Sequence, residues 1–123
     1  MNFLIDCLIY PSDIVVFVDS SNKEIKKTMR KHGYDDTGIS QVLSKLKNCV
    51  NARCEMMEDG LVFIFLKSNV KDFYSKVCHE SFHATTFILD RVGVRLRMGS
   101  SDEAYAYLLG FITAEIFKKI KII

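Results

Sequence analysis

Leu61-Val62-Phe63-Ile64-Phe65-Leu66, directly after Glu58-Asp59-Gly60, is the stretch on which the fold turns. Six apolar residues in a row, mostly β-branched or aromatic, make a strand of ordinary length. A strand with one wet face would alternate apolar and polar residues. This one does not, so both of its faces are covered. Asp-Gly is the strongest two-residue hairpin signal. It turns the chain back onto Ala52–Met57 as a partner strand.

Working outward, Phe3–Tyr10 and Ile14–Asp19 are similarly rich in strand formers and flank the turn Pro11-Ser12-Asp13. They read as a second hairpin. A helix follows, with Ser20 or Ser21 as its N-cap and Gly33 just past its end. Ile39, Val42, Leu43 and Leu46 then repeat at the helical period. Asp72 is placed to cap a helix over Phe73–Val92, and Gly93 and Gly99 bracket a short connection. Ser100 or Ser101 opens a last helix. The predicted order is ββααββαα. That predicts an α+β fold with an antiparallel sheet, in a single domain spanning residues 1–123.

Composition narrows the function classes. Hydrophobic residues at 49% supply a core without disulfide or metal staples. A net charge of +2 gives no basis for nucleic-acid or membrane binding. The lysine-rich segment Lys23–Lys31 lacks interleaved aromatics and reads as a solvated helix face. Met1–Asp13 has no signal-peptide pattern, and no apolar run reaches membrane-spanning length. The expectation is a cytoplasmic protein whose four cysteines, Cys7, Cys49, Cys54 and Cys78, are free thiols.

The chemistry is concentrated in Cys78-His79-Glu80-Ser81-Phe82-His83-Ala84. His79-Glu80-Ser81-Phe82-His83 fits H-E-x-x-H, with a chance expectation of about 0.003 in a chain with three histidines. On a helix, residues four apart share a face one turn along, so both imidazoles can reach one cation. Cys78, Phe82, Thr85, Leu89 and Val92 form one stripe, read as the core face. His79, His83, Thr86 and Asp90 form another beside it. Two histidines are an incomplete set, since catalytic zinc usually has three protein ligands. Glu103, 20 residues after His83 and early in the next helix, is the candidate third.

H-E-x-x-H on one helix, followed about twenty residues later by Asp102-Glu103-Ala104 opening the next, resembles the gluzincin (thermolysin-like) branch of zinc metallopeptidases. The resemblance covers roughly residues 51–117 and is closest to minimal domains encoded by phages and prophages. It implies Zn²⁺ held by His79, His83 and Glu103. It also implies Glu80 as the general base that deprotonates the zinc-bound water and protonates the leaving amine. A peptide or protein would be the substrate, hydrolysed by a zinc metalloendopeptidase, with Leu61–Leu66 as the strand along which it pairs. Localisation would be the host cytoplasm if the chain is phage-encoded. The implied partners are a peptide, or a phage or host protein, with no nucleic acid and no membrane.

The chain departs from the family in two places. Where the family has an Asp one turn after the glutamate ligand, Tyr107 stands here. Asp102, Asp90 and Thr86 are the alternatives for orienting a histidine. The oxyanion-stabilising group has no clear equivalent; Tyr105, Tyr107, His32 and Tyr34 are candidates. Glu103 has a second reading, because Ser100-Ser101-Asp102-Glu103 is also a capping box. The alternative function is a non-catalytic, zinc-stabilised phage structural or host-interaction module.

Overall fold

The computed structural model describes residues 1–48 and 51–120. The elements come in the predicted order: β1 (Asn2–Ile5), β2 (Ile14–Val18), α1 (Asn22–Lys31), α2 (Asp36–Lys47), β3 (Ala52–Met56), β4 (Val62–Leu66), α3 (Phe73–Arg91) and α4 (Asp102–Ile120). They form a small α+β domain. No helix among the described residues is long and apolar enough to cross a membrane.

Every residue of β2 and of β4 is buried. These strands sit at the centre of one four-stranded sheet, in the order β1-β2-β4-β3. Each hairpin is antiparallel, with Phe3 opposite Val16 and Cys54 opposite Ile64. The two hairpins join through β2 and β4, which run parallel, with Val16 opposite Ile64. The expected antiparallel sheet is therefore corrected to a mixed one. Short turns force antiparallel pairing only within a hairpin. Between hairpins the long α1–α2 crossover allows either direction, and fully apolar strands are typical of parallel pairs covered on both faces.

The alternation along β2 and β4 divides the core in two. Val15, Phe17, Phe63 and Phe65 pack against Ile25 and Met29 of α1 and Ile39 and Val42 of α2. Ile14, Val16, Val62 and Ile64 pack against Val77, Ala84 and Ile88 of α3 and Ile112 and Ile116 of α4. Burying each such side chain contributes about 1.5–3 kcal/mol, so neither face can be left without helices.

The helices start where their caps dictate. Ser21 accepts from the amide of Glu24, and Asp35 from that of Gly38. Strand β1 is shorter than predicted. The Asp6 carboxylate accepts from the amide of Leu8, which adopts φ 58°, and the chain turns away after Ile5. Helices α3 and α4 are antiparallel: the rings of Tyr74 and Phe117 lie 5.3 Å apart at one end, and the Tyr105 hydroxyl donates to the Val94 carbonyl at the other.

The Asp59-Gly60 turn behaves as its sequence predicts. Gly60 has φ +95°, and Arg91 at the end of α3 donates to the Glu58 carbonyl, pinning the hairpin to the helix. A Cβ at Gly60 would meet the Arg91 Nε at 2.8 Å, the movable end of a long side chain. The main cost of substitution is therefore the backbone conformation. Gly60→Ala is expected to lower unfolding free energy by about 1–2 kcal/mol in urea titrations, and Gly60→Asn by less, because asparagine tolerates positive φ. Both variants add the same Cβ, so equal losses would refute the backbone origin.

Candidate metal centre

Helix α3 runs unbroken through the motif, from Phe73 to Arg91. Asp72 precedes it but makes no side-chain cap; the Ser75 hydroxyl donates to the Asp72 carbonyl instead. The buried face of α3 differs from the predicted stripe. Val77, Ser81, Ala84, Thr85, Ile88 and Leu89 are buried, whereas Cys78, Phe82 and Val92 are exposed. The small side chains of Ser81 and Ala84 are fully buried against the core, while the bulkier Phe82 between them is exposed.

His79 and His83 are exposed on the neighbouring stripe, as predicted. Their Nε2 atoms lie 3.1 Å apart, and the rings cross at 75° with centroids 4.8 Å apart. Glu80 points inward from the other side of the motif and is 6% exposed. Among the described residues, His79, Glu80 and His83 form the group whose ligand atoms converge, all within 4.8 Å of one another. This group could hold a metal ion. Nitrogens 3.1 Å apart are closer than twice a Zn–N bond of about 2.0–2.1 Å, so one ion can touch both.

The surroundings of Glu80 come from β3. Ala52 and Cys54 pack on the α3 side of the sheet. Burial pushes the Glu80 carboxyl above its usual range, opposed by the charges of His79, His83, Lys76 and Arg53. Burial also pushes the Cys54 thiol up to about 12, with Glu80 and then Glu55 adding to the shift. Glu55, on the opposite face of β3, is held by Arg53 at 2.5 Å and Lys45 at 3.3 Å. Sequence reasoning did not place β3 beside the motif. The available signal was the period-two set Ala52, Cys54 and Met56, which puts the smaller and softer side chains on one face.

The other predicted site residues are not brought to this group. Glu103 is exposed in the first turn of α4 and makes no hydrogen bond or ion pair among the described residues. Helix α4 packs on the Tyr74 side of α3. At the other end of the hairpin, Tyr105 lines a cavity with Met56, Thr86 and Asp90, farther along the stripe from His83. The capping-box reading of Glu103 is not realised either. The Ser101 hydroxyl donates to the Arg95 carbonyl and accepts from the amide of Arg97. Asp102 is half-buried beside Glu103 on α4, and Asp90 is exposed on α3, about 10 Å along the axis from His83. The Thr86 hydroxyl donates to the His83 carbonyl, and Tyr105 is committed to Val94. Tyr107 is 76% exposed. Tyr34 packs on Phe63, on the far side of the sheet, and donates to Asp59, while His32 caps the end of α1.

No family model, curated protein or solved structure matches this chain.

Two outcomes follow from this geometry. In equilibrium dialysis, His79→Ala and His83→Ala should each weaken Zn²⁺ binding by at least about tenfold, whereas Glu103→Gln should change it less than about twofold. A tenfold loss in Glu103→Gln would place that carboxylate in the site. Cys49 lies outside the described residues; among the three described thiols, burial pushes Cys7 as well as Cys54 up to about 12, and Cys78 is exposed. Alkylation at pH 8, read site by site by mass spectrometry, should modify Cys78 at least about ten times faster than the other two. Equal rates would show that Cys7 and Cys54 are open to solvent.

Proposed function

We propose that this chain holds Zn²⁺ between His79 and His83 and hydrolyses a peptide bond with Glu80 as general base, in the manner of a gluzincin metalloendopeptidase. The observation that carries this reading is the convergence of two imidazoles and one buried carboxylate within 4.8 Å on a single helix. The two imidazoles suit the ion as borderline ligands, and the adjacent Glu80 carboxylate is kept for the water. When bound, Zn²⁺ supplies Lewis acidity and acidifies water.

The chain's own groups divide the remaining work. His79 and His83 present neutral nitrogens toward the cation. Glu80 takes a proton from water and returns it to the leaving amine, and its burial keeps it basic enough for that exchange. A peptide is the favoured substrate class because an open strand edge lies beside the motif. Strand β4 cannot serve, since β2 and β3 pair with both its sides. The Lys67 amide donates to Asn51 and the Met57 amide to Leu61, so the odd-numbered residues of this ladder bond inward. The backbone groups of Cys54 and Met56 therefore point outward from β3, where an extended peptide can add as a further strand.

One observation favours the non-catalytic module instead. Among the described residues, the hydroxyls of Tyr105 and Tyr34 are engaged elsewhere, and the group of converging ligand atoms includes no residue of α4.

The two readings separate in one experiment. Zinc-loaded wild type and Glu80→Gln are incubated with a mixed peptide library and the products read by mass spectrometry. Both proteins should bind about one zinc, and only the wild type should cleave, with the variant slower by about 10²–10⁴-fold. Stoichiometric zinc without cleavage by either protein would establish the module, and equal cleavage by both would remove Glu80 from the base role.

A further inference from the structure

A second cavity lies at the other end of the molecule's chemistry. Its volume is about 650 Å³, within the range of about 300–1,000 Å³ usual for small-ligand pockets. It opens where the parallel strands β2 and β4 end, lined by Asp19 just after β2 and by Lys67 just after β4. From these neighbouring ends the chain departs in opposite directions. After β2 it enters α1, which packs on the Phe17 and Phe65 face. After β4 it enters α3, which packs on the Val16 and Ile64 face. Adjacent parallel strands whose following helices go to opposite faces leave a crevice between their carboxyl ends, the position at which open α/β sheets bind ligands.

The lining defines a ligand chemistry. Leu43 and Leu46, half-buried, form the apolar wall of the cavity, and Phe17 and Phe65, stacked 5.0 Å apart with planes 5° from parallel, close it from beneath. Lys47 and Lys67 stand exposed at the rim, without an ion-pair partner among the described residues. The one carboxylate in the lining, Asp19, is occupied: it accepts from the Ser68 amide at 2.9 Å and from the Ser68 hydroxyl. That bond also ties the ends of β2 and β4 together. Asn22, the first residue of α1, lines the cavity too, so the positive end of the helix dipole faces it. Two ammonium groups and a helix start beside an apolar wall suit an anion attached to a flat ring.

We propose that this cavity is a binding site for a small anionic aromatic ligand of mononucleotide size, with the ring against Leu43 and Leu46 and the anion between Lys47 and Lys67. The site is separate from the metal centre. Its apolar wall lies on the α1–α2 side of the sheet, and the histidines stand on α3 across it.

The test uses adenosine 5′-monophosphate as the probe, with adenosine and inorganic phosphate as its two halves, titrated into the full chain by calorimetry and amide NMR. AMP should bind with Kd below about 1 mM, at least about tenfold more tightly than either half, and shift the amides of Phe17, Asp19 and Phe65. Lys47→Gln/Lys67→Gln, a mild change at two exposed positions, should weaken AMP at least about tenfold with an unchanged melting temperature. His79→Ala/His83→Ala should bind AMP as wild type does, so a failed metal centre and a failed cavity give different results. No binding at about 10 mM AMP would overturn the proposal. So would phosphate binding as tightly as AMP, or loss of AMP binding in the histidine variant.

Discussion

Burial of both faces of β2 and β4 is the constraint on which the rest of the structure depends. These ten residues are all shielded from water. A sheet whose two central strands are apolar throughout needs a helical layer on each side. The chain meets this by sending α1 and α2 to one face and α3 and α4 to the other. Most of the functional geometry is a by-product. Helix α3 is fixed over β4 and the edge strand β3, and the opposed departures of α1 and α3 leave the crevice at the strand ends.

At the metal centre, local and tertiary effects combine in one five-residue stretch. The convergence of His79 and His83 needs only the helical period, and any unbroken helix here would bring the imidazoles together. The character of Glu80 depends on what lies beneath it. Glu80 lies next to the buried Ser81 on α3 and close to Cys54 of β3. A carboxylate in the same motif on a fully exposed helix would be an ordinary acid; here desolvation raises its proton affinity. Arg53 and Lys76 temper that effect without abolishing it.

The two candidate sites occupy different layers and call for different chemistry. The histidine face offers imidazole nitrogens beside β3. The crevice offers fixed positive charge beside an apolar wall. Asp19, with φ 52° and its carboxylate bridging to Ser68, holds the two central strand ends in the relation the crevice requires. A single sheet thus positions both sites, on its opposite faces.

The sequence by itself determined the elements and the local features. The double-sided apolar run at Val62–Leu66, the Asp59-Gly60 turn, the cap at Ser20 or Ser21 and the placement of His79 and His83 on one helix face all depend on interactions a few residues apart. Only the tertiary structure decided how the hairpins meet, which side of α3 is buried, and which residues surround Glu80. Those outcomes depend on the packing of whole faces rather than on neighbours in the chain. The parallel pairing of β2 with β4 is reached across 43 intervening residues numbered 19–61, with no local signal for its direction. The core face of α3 takes in the small Ser81 and Ala84 and leaves Phe82 exposed, which a count of apolar positions does not register. Glu103 shows the difference most clearly. Its spacing from His83 matched a ligand, but spacing along a chain fixes no direction in space, and the hairpin of α3 and α4 set that carboxylate on the other helix, facing solvent.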